Sequence, residues 1–586
     1  MKNRPIRSRV ATLALAGAGA LATPAQAAVT VTVDAGADVR PFSPLIFGVS
    51  YGDGERNATI GYPLRRWGGN ATTRYNWRVD VHNTALDWYF ENIPGASDRS
   101  QEPPLGNHAD AFIGETRAYG ADVLLTIPTI GWTPRADSPL SHPFFAGFSV
   151  ARYGAQVPLN PWSPATDPWD PDAGSGECSP ATNPSPRCVP YGNEGRHHLV
   201  DNDPHDTSTE VGPSFWKPWI AHLAQRFGGA AGGGVRYYSL DNEIMLWNST
   251  HRDVHPAPTT YDEAWATALA YGTAIKQQDP DAKVTGPVTW GYCDLFGSAA
   301  DQCHVGSDRD AHGGLPFVAW YLQQVCAHPL PGGARVVDYL DLHYYPQGGV
   351  ALNDDDSVAT AARRLRSLKE LHDPAWVSES WIADLGDFDA NHYSKPNLIP
   401  RVRAWIDQYC PGTRLAITEY NWGNDGTISG AVAQAELFGI FAREGVDMAA
   451  RWVAPEAGSR VERAFTLFLD YDGAGSKVQG SSVRASSGDA DRVGAYAFVS
   501  GARTMVLLTN KTTTPQSVTV GFGQQPGTRW DLYGFDAAQP VHHLAGAALG
   551  GPSVALPELP AMSASLLVIT GADLIFRDGF DAPTPQ

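Results

Sequence analysis

The stretch Val235–Trp247, "VRYYSLDNEIMLW", sets the fold that we expect for this chain. It starts as a short apolar run with strand character and ends in a polar tip that carries Glu243. A second stretch, Leu415–Trp422, "LAITEYNW", has the same design and carries Glu419. A carboxylate at the end of a buried strand is where an α/β barrel holds its reactive groups. The two stretches therefore predict a barrel with two acids at its upper rim.

Apolar runs of this kind recur along the chain and alternate with helical stretches, which is typical of a parallel sheet. Eight such runs can be counted, and they predict the α/β fold of a (β/α)₈ TIM barrel. On this count Glu243 ends the fourth strand and Glu419 ends the seventh. The runs are Leu45–Tyr51, Leu64–Gly69, Val123–Pro128, Val235–Asn242, Lys283–Pro287, Val336–Tyr345, Leu415–Tyr420 and Met448–Val453.

The domain organisation follows from where the helical pattern stops. We assign residues 45–465 to the barrel. Residues 466–572 lack helical periodicity and alternate strands with turn residues, which predicts an appended antiparallel β-sandwich. The alternating segment "VTVTVDAG" has no partner in the barrel, so residues 28–44 are expected to add a strand to the sandwich. Residues 573–586 form a tail without an obvious role in a core.

Residues 1–27 have the composition of a secretory signal peptide. Basic residues precede an apolar run at positions 10–21, and a small-residue cleavage site ends at Ala27. The apolar run is too short for a membrane anchor, so we expect a secreted protein that is cleaved near Ala27 and has no membrane partner. The formal net charge is −19 and becomes four units more negative without this segment. Such a charge argues against nucleic acid as a partner.

The chain has six cysteines, and in an exported protein these favour disulfides over metal sites. Cys178/Cys188 and Cys293/Cys303 are close pairs within polar segments. The two remaining cysteines, Cys326 and Cys410, each end a predicted helix. Those helices follow barrel strands five and six and are neighbours at the bottom of the ring, so a bridge between them is geometrically possible. Free buried thiols are the alternative.

The chemistry that two carboxyl groups at one barrel mouth support is glycoside cleavage. One carboxyl is kept protonated for the leaving oxygen, and the other is kept ionised to attack the anomeric carbon. Spacing alone does not decide which of Glu243 and Glu419 takes which role. Asn242, directly before Glu243, is expected to bind a sugar hydroxyl. An ion-paired structural role is the alternative for either glutamate taken alone.

Strand alternation predicts which neighbouring side chains face the barrel axis. Counted from Glu419, Leu415 and Ile417 share its face. We expect Arg65 and Tyr345 to point inward and to keep Glu419 charged, because a cation or a hydroxyl donor favours the carboxylate. Arg66 would then face outward. His343 would lie beside Tyr345 as a hydrogen-bonding residue rather than a metal ligand.

Tryptophans near the predicted strand ends are candidates for sugar stacking, because flat aromatic faces pack against pyranose rings. Trp452 within strand eight and Trp247 just after Glu243 are the stronger candidates for substrate binding. For each tryptophan the alternative is a place in the core. The full set is Trp88, Trp247, Trp381, Trp422 and Trp452.

Four motifs resemble those of glycoside hydrolase family 44. They are "LRRWGGNATTRYNW" at Leu64–Trp77, "SLDNE" at Ser239–Glu243, "DLHYYPQ" at Asp341–Gln347 and "AITEYNWG" at Ala416–Gly423. The resemblance extends to about residue 570 and includes the appended sandwich. Trp67 and Met245 depart from the family pattern. That family comprises retaining β-1,4-glucanases and xyloglucanases, so the resemblance implies Glu243 as acid/base and Glu419 as nucleophile.

The expected function is a secreted endo-acting retaining hydrolase of plant cell-wall β-glucan, such as cellulose-like chains, xyloglucan or glucomannan, and the expected state is a monomer. An exo-acting α-L-arabinofuranosidase and a non-catalytic carbohydrate-binding barrel are the alternatives. No cofactor is required for this chemistry. A structural Ca²⁺ is compatible with acidic runs such as Asn353–Ser357. The resemblance implies such an ion in some relatives, but the metal ligands are unknown from the sequence.

Overall fold

The computed structural model describes residues 27–96, 98–192, 195–302, 305–386 and 391–571. Eight parallel strands close into a barrel, which confirms the predicted fold class. All eight strands fall within or next to the runs counted in the sequence. Their bounds are Gly48–Ser50, Leu64–Trp67, Asp122–Ile127, Tyr237–Leu240, Lys283–Thr289, Tyr339–Tyr344, Arg414–Tyr420 and Met448–Arg451. The expected signal peptide, apart from Ala27, and the expected tail lie outside the described residues.

The helices between the strands form the outer layer of the barrel. The α-helices are Gly54–Ile60, Asn70–Thr73, His108–Ala118, Val150–Tyr153, Lys217–Phe227, Trp247–Thr250, Tyr261–Gln278, Ser307–Ala311, Phe317–Ala327, Val358–Ser367, Leu398–Tyr409, Ile428–Glu444 and Arg460–Leu469. Among the described residues, no helix combines the length and apolar character that a membrane crossing requires.

The helix Ile428–Glu444 is buried on nearly every side, including all positions from Ile428 to Ala442. It contacts the neighbouring helices of the barrel and also strands of the second domain. A helix that is buried on all sides lies inside a core. This helix therefore joins the barrel to the sheet domain.

The second domain is one ten-stranded sheet. Its strands are Val29–Asp34, Arg40–Pro41, Ser481–Ser487, Val493–Ser500, Arg503–Asn510, Val518–Phe522, Arg529–Phe535, His542–Ala548, Ser553–Ala555 and Ser563–Thr570. The N-terminal strand Val29–Asp34 lies within this sheet. It pairs antiparallel with Ser481–Ser487 and parallel with Val518–Phe522. The sheet is therefore mixed rather than purely antiparallel, because a strand that arrives from the far end of the chain is not constrained by a hairpin.

Alternate residues of the central strands bury opposite faces of the sheet, as period-two geometry requires. In the strand Arg503–Asn510, Val506 and Leu508 belong to the core of the sheet domain itself. Met505 and Leu507 belong to the barrel core. Both faces are thus covered, which explains the near-continuous apolar character of these strands.

The predicted boundary between residues 465 and 466 falls inside the helix Arg460–Leu469. Phe465 and Phe468 of this helix pack against Phe438 of the buried helix. The first C-terminal strand of the sheet begins later, at Ser481. The helix therefore packs as part of the barrel layer, and the sheet domain starts after it.

The long connection after the third barrel strand is folded. It contains the short strands Trp132–Pro134, Glu177–Cys178, Cys188–Tyr191, Arg196–Leu199 and Ser208–Glu210. Further short strands, Tyr75–Asn76, Val81–Asn83 and Asn92–Pro94, follow the second barrel strand and form a sheet of their own. Backbone hydrogen bonds join the two segments, from Asn92 to Phe145 and from Gly147 to Phe90. Together they build one wall above the barrel.

Two of the three predicted disulfides lie within the described residues. Cys178–Cys188 closes the tip of the wall, and Cys326–Cys410 joins the helices after strands five and six. The third prediction includes Cys303, which lies outside the described residues. The pairing of Cys326 with Cys410 confirms the prediction made from barrel geometry.

We expect the double variant Cys326→Ser/Cys410→Ser to lose about 2–4 kcal/mol in free energy of unfolding, because this bridge closes a long loop of the unfolded chain. Urea denaturation at fixed pH measures the change. Cys178→Ser/Cys188→Ser is the matched control, since its two cysteines are only 10 positions apart, against 84 for the other pair. An equal or larger loss in the control would contradict the expectation.

Candidate active site

Glu243 leaves the fourth barrel strand through an unusual backbone. Asp241 and Glu243 both have positive φ angles, 68° and 46°. The carboxylate of Asp241 stabilises this turn, because it accepts hydrogen bonds from the backbone N–H groups of Thr129, Ile130 and Asn242. Burial raises the pKa of Asp241 to about 6. The polar tip is thus held by the loop after strand three, and Glu243 is aimed across the barrel mouth.

Glu419 reaches the same mouth through an irregularity in its own strand. Ala416 lies in the inner cluster at the bottom of the barrel, whereas Leu415 and Ile417 pack against the helices. The prediction that Leu415 and Ile417 share the face of Glu419 is therefore wrong. The pairing with both neighbouring strands shifts register just before Glu419. Such an irregularity re-aims a side chain, here that of Glu419 toward the axis.

The arginine that pairs with Glu419 is Arg66, and the prediction of Arg65 is wrong. Arg66 donates to Glu419 Oε1 at 2.7 Å and to Asn242 Oδ1 at 2.7 Å. Arg65 instead pairs with Glu115 on the outer side of the barrel. The physical reason is strand alternation, because Leu64 occupies the inner cluster and so places Arg66 inward.

The two glycines after this strand leave room for the site. A Cβ atom at Gly68 would overlap the guanidinium of Arg66. A Cβ at Gly69 would lie 2.7 Å from the ring of Trp452, and the φ angle of Gly69 is +90°. Any larger residue would displace Arg66 or Trp452. The "RRWGGN" motif is therefore explained by close packing at the mouth.

Glu243, His343 and Glu419 converge at the centre of the mouth. Each contributes one polar atom to a cluster whose members lie within 4.8 Å of one another. His343 Nδ1 lies 2.9 Å from Glu243 Oε1 and 3.3 Å from Glu419 Oε2. Tyr345 donates to Glu419 Oε2 at 3.1 Å. Tyr345 thus has the contact expected of it, and Asn242 reaches the site through Arg66.

The two carboxyl groups lie in different electrostatic environments. Burial raises the pKa of Glu243 well above its ordinary value, and the neighbouring charge of Glu419 adds to this shift. Glu419 is paired with the buried guanidinium of Arg66. A protonated acid thus faces an ion-paired carboxylate. Burial and then Glu419 raise the pKa of Tyr345, so its hydroxyl stays a donor.

His343 is neutral, because burial and the charge of Arg66 hold its pKa well below the ordinary value. Thr418 donates its hydroxyl proton to Asp341 at 2.7 Å, so the Thr418 oxygen accepts from His343 Nε2 at 3.3 Å. This pattern assigns the ring proton to Nε2 and leaves a lone pair on Nδ1. That lone pair accepts a hydrogen bond from the protonated carboxyl of Glu243 at 2.9 Å.

Two of the five candidate tryptophans line the cleft. Trp452 is partly buried beside Arg66, with the guanidinium carbon 5.9 Å from the centre of its ring. Trp381 is 39% exposed, and its Nε1 donates to Gln347, which in turn donates to the backbone oxygen of Tyr345. Trp452 and Trp381 therefore lie where a substrate could contact them.

Trp247 and Trp422 do not line the cleft, so their prediction as substrate-binding residues is wrong. Trp247 is 1% exposed and packs against the ring of His255. Trp422 is 2% exposed, stacks on the outward-facing Tyr344 and donates to Ser367. The chain turns over the rim after each glutamate, so the next large side chains pack into the helix layer.

A second acidic cluster lies in the wall and was not anticipated from the sequence. Glu91, Asp167 and Asp170 are at most 4% exposed. Both carboxylate oxygens of Glu91 and one of Asp167 are buried and have no hydrogen-bond donor among the described residues. Burial, then Asp167 and Asp170, raise the pKa of Glu91 to about 8. Crowded carboxylate oxygens without donors fit an oxygen-preferring cation such as Ca²⁺.

The acidic run Asn353–Ser357 has a different role. Asp355 accepts hydrogen bonds from Ser357 and Thr360, and Ser357 caps the start of the helix Val358–Ser367. Asp356 accepts from the backbone of Ile428 and pairs with Arg364. Hydrogen bonds and an ion pair within the protein already engage the carboxylates of Asp355 and Asp356. They offer a poorer cation site than the cluster in the wall.

Residues 81–348 match the model of glycoside hydrolase family 44. The chain is 38% identical to CelM2, a bifunctional glucanase-xylanase protein from a metagenome library, and the two structures superpose with a TM-score of 0.83. This similarity covers 93% of the present chain and 99% of CelM2.

Two further relatives are more distant. The chain is 28% identical to beta-mannanase/endoglucanase A of Caldicellulosiruptor saccharolyticus over 87% of its own length, but it spans only 36% of that protein. It is 27% identical to endoglucanase A of Paenibacillus lautus, over 86% of this chain and 67% of the relative. The structural match to CelM2 extends over nearly both whole chains and includes the barrel and the sheet domain. The chain belongs to glycoside hydrolase family 44.

Proposed function

We propose that this protein is an endo-acting hydrolase of β-1,4-glucan backbones that retains anomeric configuration. Glu419 attacks the anomeric carbon and forms a glycosyl-enzyme, while Glu243 protonates the departing oxygen. Glu243 then takes a proton from water, and the water oxygen displaces Glu419. The observation that carries the proposal is the approach of the Glu243 and Glu419 carboxyl oxygens to within 4.8 Å. A short separation favours retention, because an inverting pair must leave room for water.

The relatives indicate the substrate class. CelM2 is described as a glucanase-xylanase, and the curated relatives as endoglucanases, one of them also a mannanase. All of these names refer to polysaccharide backbones. We infer a plant cell-wall β-glucan as the substrate of the present chain, with cellulose-like chains, xyloglucan and glucomannan as candidates.

A substrate panel tests the proposal. Carboxymethylcellulose, xyloglucan, glucomannan and xylan are incubated with the protein, and viscosity and reducing ends are followed together. We expect a rapid fall in viscosity with few new reducing ends on a glucan. Slow loss of viscosity with steady release of arabinose would instead support the exo-acting α-L-arabinofuranosidase. No hydrolysis of any polymer would favour the non-catalytic binding protein.

We propose that the acidic cluster of Glu91, Asp167 and Asp170 binds a structural Ca²⁺. Glu91 belongs to the segment after the second barrel strand, and Asp167 and Asp170 belong to the connection after the third. A cation shared between them would hold the two parts of the wall together. The chemistry at Glu243 and Glu419 does not depend on it, so its contribution is to stability.

We expect Ca²⁺ to raise the melting temperature of the chelator-treated protein. A site filled at 100 times its Kd contributes about 2.7 kcal/mol. Glu91→Gln/Asp167→Asn should abolish the shift, whereas Asp354→Asn in the exposed acidic run should keep it. His142 lies beside the cluster, so Zn²⁺ is tested in parallel. A shift with Zn²⁺ but not with Ca²⁺ would contradict the assignment.

We propose export with cleavage near Ala27, on the composition of residues 1–27, and a monomeric state. Mass spectrometry of the protein secreted by its host tests the cleavage site. Sedimentation of the purified protein tests the monomer. An N-terminus retained at Met1 would contradict export by this route.

A further inference from the structure

Two tryptophans stand exposed on the wall, away from the catalytic pair. Trp88 is 39% exposed and Trp169 is 70% exposed. Their ring centroids are 6.0 Å apart, and the ring planes meet at 35°. An exposed aromatic pair leaves a large apolar area in water, and such areas mark binding sites more often than isolated exposed residues do. The pair is therefore suited to bind a ligand that has an apolar face.

The backbone beneath each ring is held in place. Trp88 ends the short helix Ala85–Trp88, and its carbonyl accepts a hydrogen bond from Thr84. The Trp169 backbone N–H donates to Asp167. The Tyr89 hydroxyl donates to the backbone oxygen of Pro164 at 3.0 Å, and so ties the two segments together. Rings on fixed backbone lose little freedom when a ligand binds, which favours affinity.

The pair is connected to the catalytic centre by a short chain of polar contacts. Asp87, next to Trp88, accepts from Asn70 at 3.2 Å. Asn70 in turn accepts from Asn242 at 3.1 Å, and Asn242 directly precedes Glu243. Trp381 is linked instead to Tyr345 and thus to Glu419. Trp88 is thus linked through side-chain contacts to Glu243, and Trp381 is linked to Glu419.

We propose that Trp88 and Trp169 form a distal subsite that stacks on glucosyl units of a β-1,4-glucan chain already held at Glu243 and Glu419. This inference rests on the proposed function, because it takes the same chain as ligand. The equatorial substituents of a β-1,4-linked glucosyl ring leave flat C–H faces, and indole rings pack against such faces. The subsite is occupied only by chains long enough to span from the catalytic centre to the wall.

The test measures binding in an inactive background. Glu419→Gln protein is titrated with cellotriose and cellohexaose by calorimetry, alone and with Trp169→Ala or Trp88→Ala/Trp169→Ala. We expect affinity for cellohexaose to fall by about 2- to 10-fold for each ring removed. The loss for cellotriose should be smaller. Trp162→Ala is the matched control, because this tryptophan lies on the same connection and is 91% exposed. It should not change the affinity.

Three outcomes are distinguished. An affinity for cellohexaose that is unchanged in the double variant overturns the subsite, while hydrolysis of glucan by the unmodified protein keeps the proposed function. An equal loss for both oligosaccharides also overturns it, because the effect would then not be distal. If the unmodified protein hydrolyses no β-1,4-glucan and Glu419→Gln binds neither oligosaccharide, the proposed function and the subsite fail together. Trp169→Ala alone removes only an exposed ring, so it keeps the test valid if the double variant folds poorly.

Discussion

The variant Glu243→Ala is expected to hydrolyse β-1,4-glucan about 10²- to 10⁴-fold more slowly than the unmodified protein. The glycosidic oxygen of a polymer is a poor leaving group and needs the proton of Glu243. An aryl glycoside with an acidic phenol needs none, so formation of the glycosyl-enzyme should be much less impaired on it. Single-turnover release of the phenol measures this step.

The contrast with Glu419→Gln makes the assignment specific. Without its nucleophile the enzyme should fail on polymer and aryl glycoside alike. Azide should speed turnover of Glu243→Ala on the aryl substrate, since it attacks the glycosyl-enzyme without a general base. Retention of polymer activity by either variant would refute the assignment of that residue.

The pH dependence of activity follows from the pKa of Glu243. Glu243 must be protonated for the first step, so activity is lost as the pH rises through its pKa in the folded protein. Burial and Glu419 raise that pKa well above the ordinary value of 4.5. The basic limb of the pH profile of kcat/KM should therefore lie well above pH 4.5. This limb should be absent for Glu243→Ala on the aryl glycoside.

The variant Arg66→Met is expected to lower kcat/KM on the order of 10²- to 10³-fold. Removing one member of a buried ion pair leaves the other uncompensated, at a cost of about 3–5 kcal/mol. In this case Glu419 would lose the cation at 2.7 Å. Steady-state kinetics on β-1,4-glucan measure the loss.

Arg65→Met is the matched control for this variant. Arg65 is also buried and also forms an ion pair, but its partner Glu115 is half exposed and lies outside the barrel. We expect lower stability and a kcat/KM close to that of the unmodified protein. A large loss of kcat/KM in Arg65→Met together with a normal kcat/KM in Arg66→Met would restore the residue choice made from the sequence and refute the contacts described above.

Pattern and chain order alone predicted the barrel, the positions of its eight strands and the two glutamates at its mouth. Apolar runs of five to ten residues between helical stretches are compatible with few other folds, and an acid at the end of such a run has few other positions. The pairing of Cys326 with Cys410 follows from the same geometry. These conclusions depend on periodicity and chain order, which local sequence contains.

Which neighbour of each glutamate takes part in the site depends on the folded chain. Arg66 rather than Arg65 faces inward, because Leu64 packs in the bottom layer of the barrel. Glu419 points to the axis through a register shift that alternation does not predict. The acidic cluster of Glu91 and Asp167 and the ring pair of Trp88 and Trp169 combine segments some 80 residues apart in sequence. Side-chain direction and long-range proximity depend on packing against the rest of the fold, so the local pattern does not contain them.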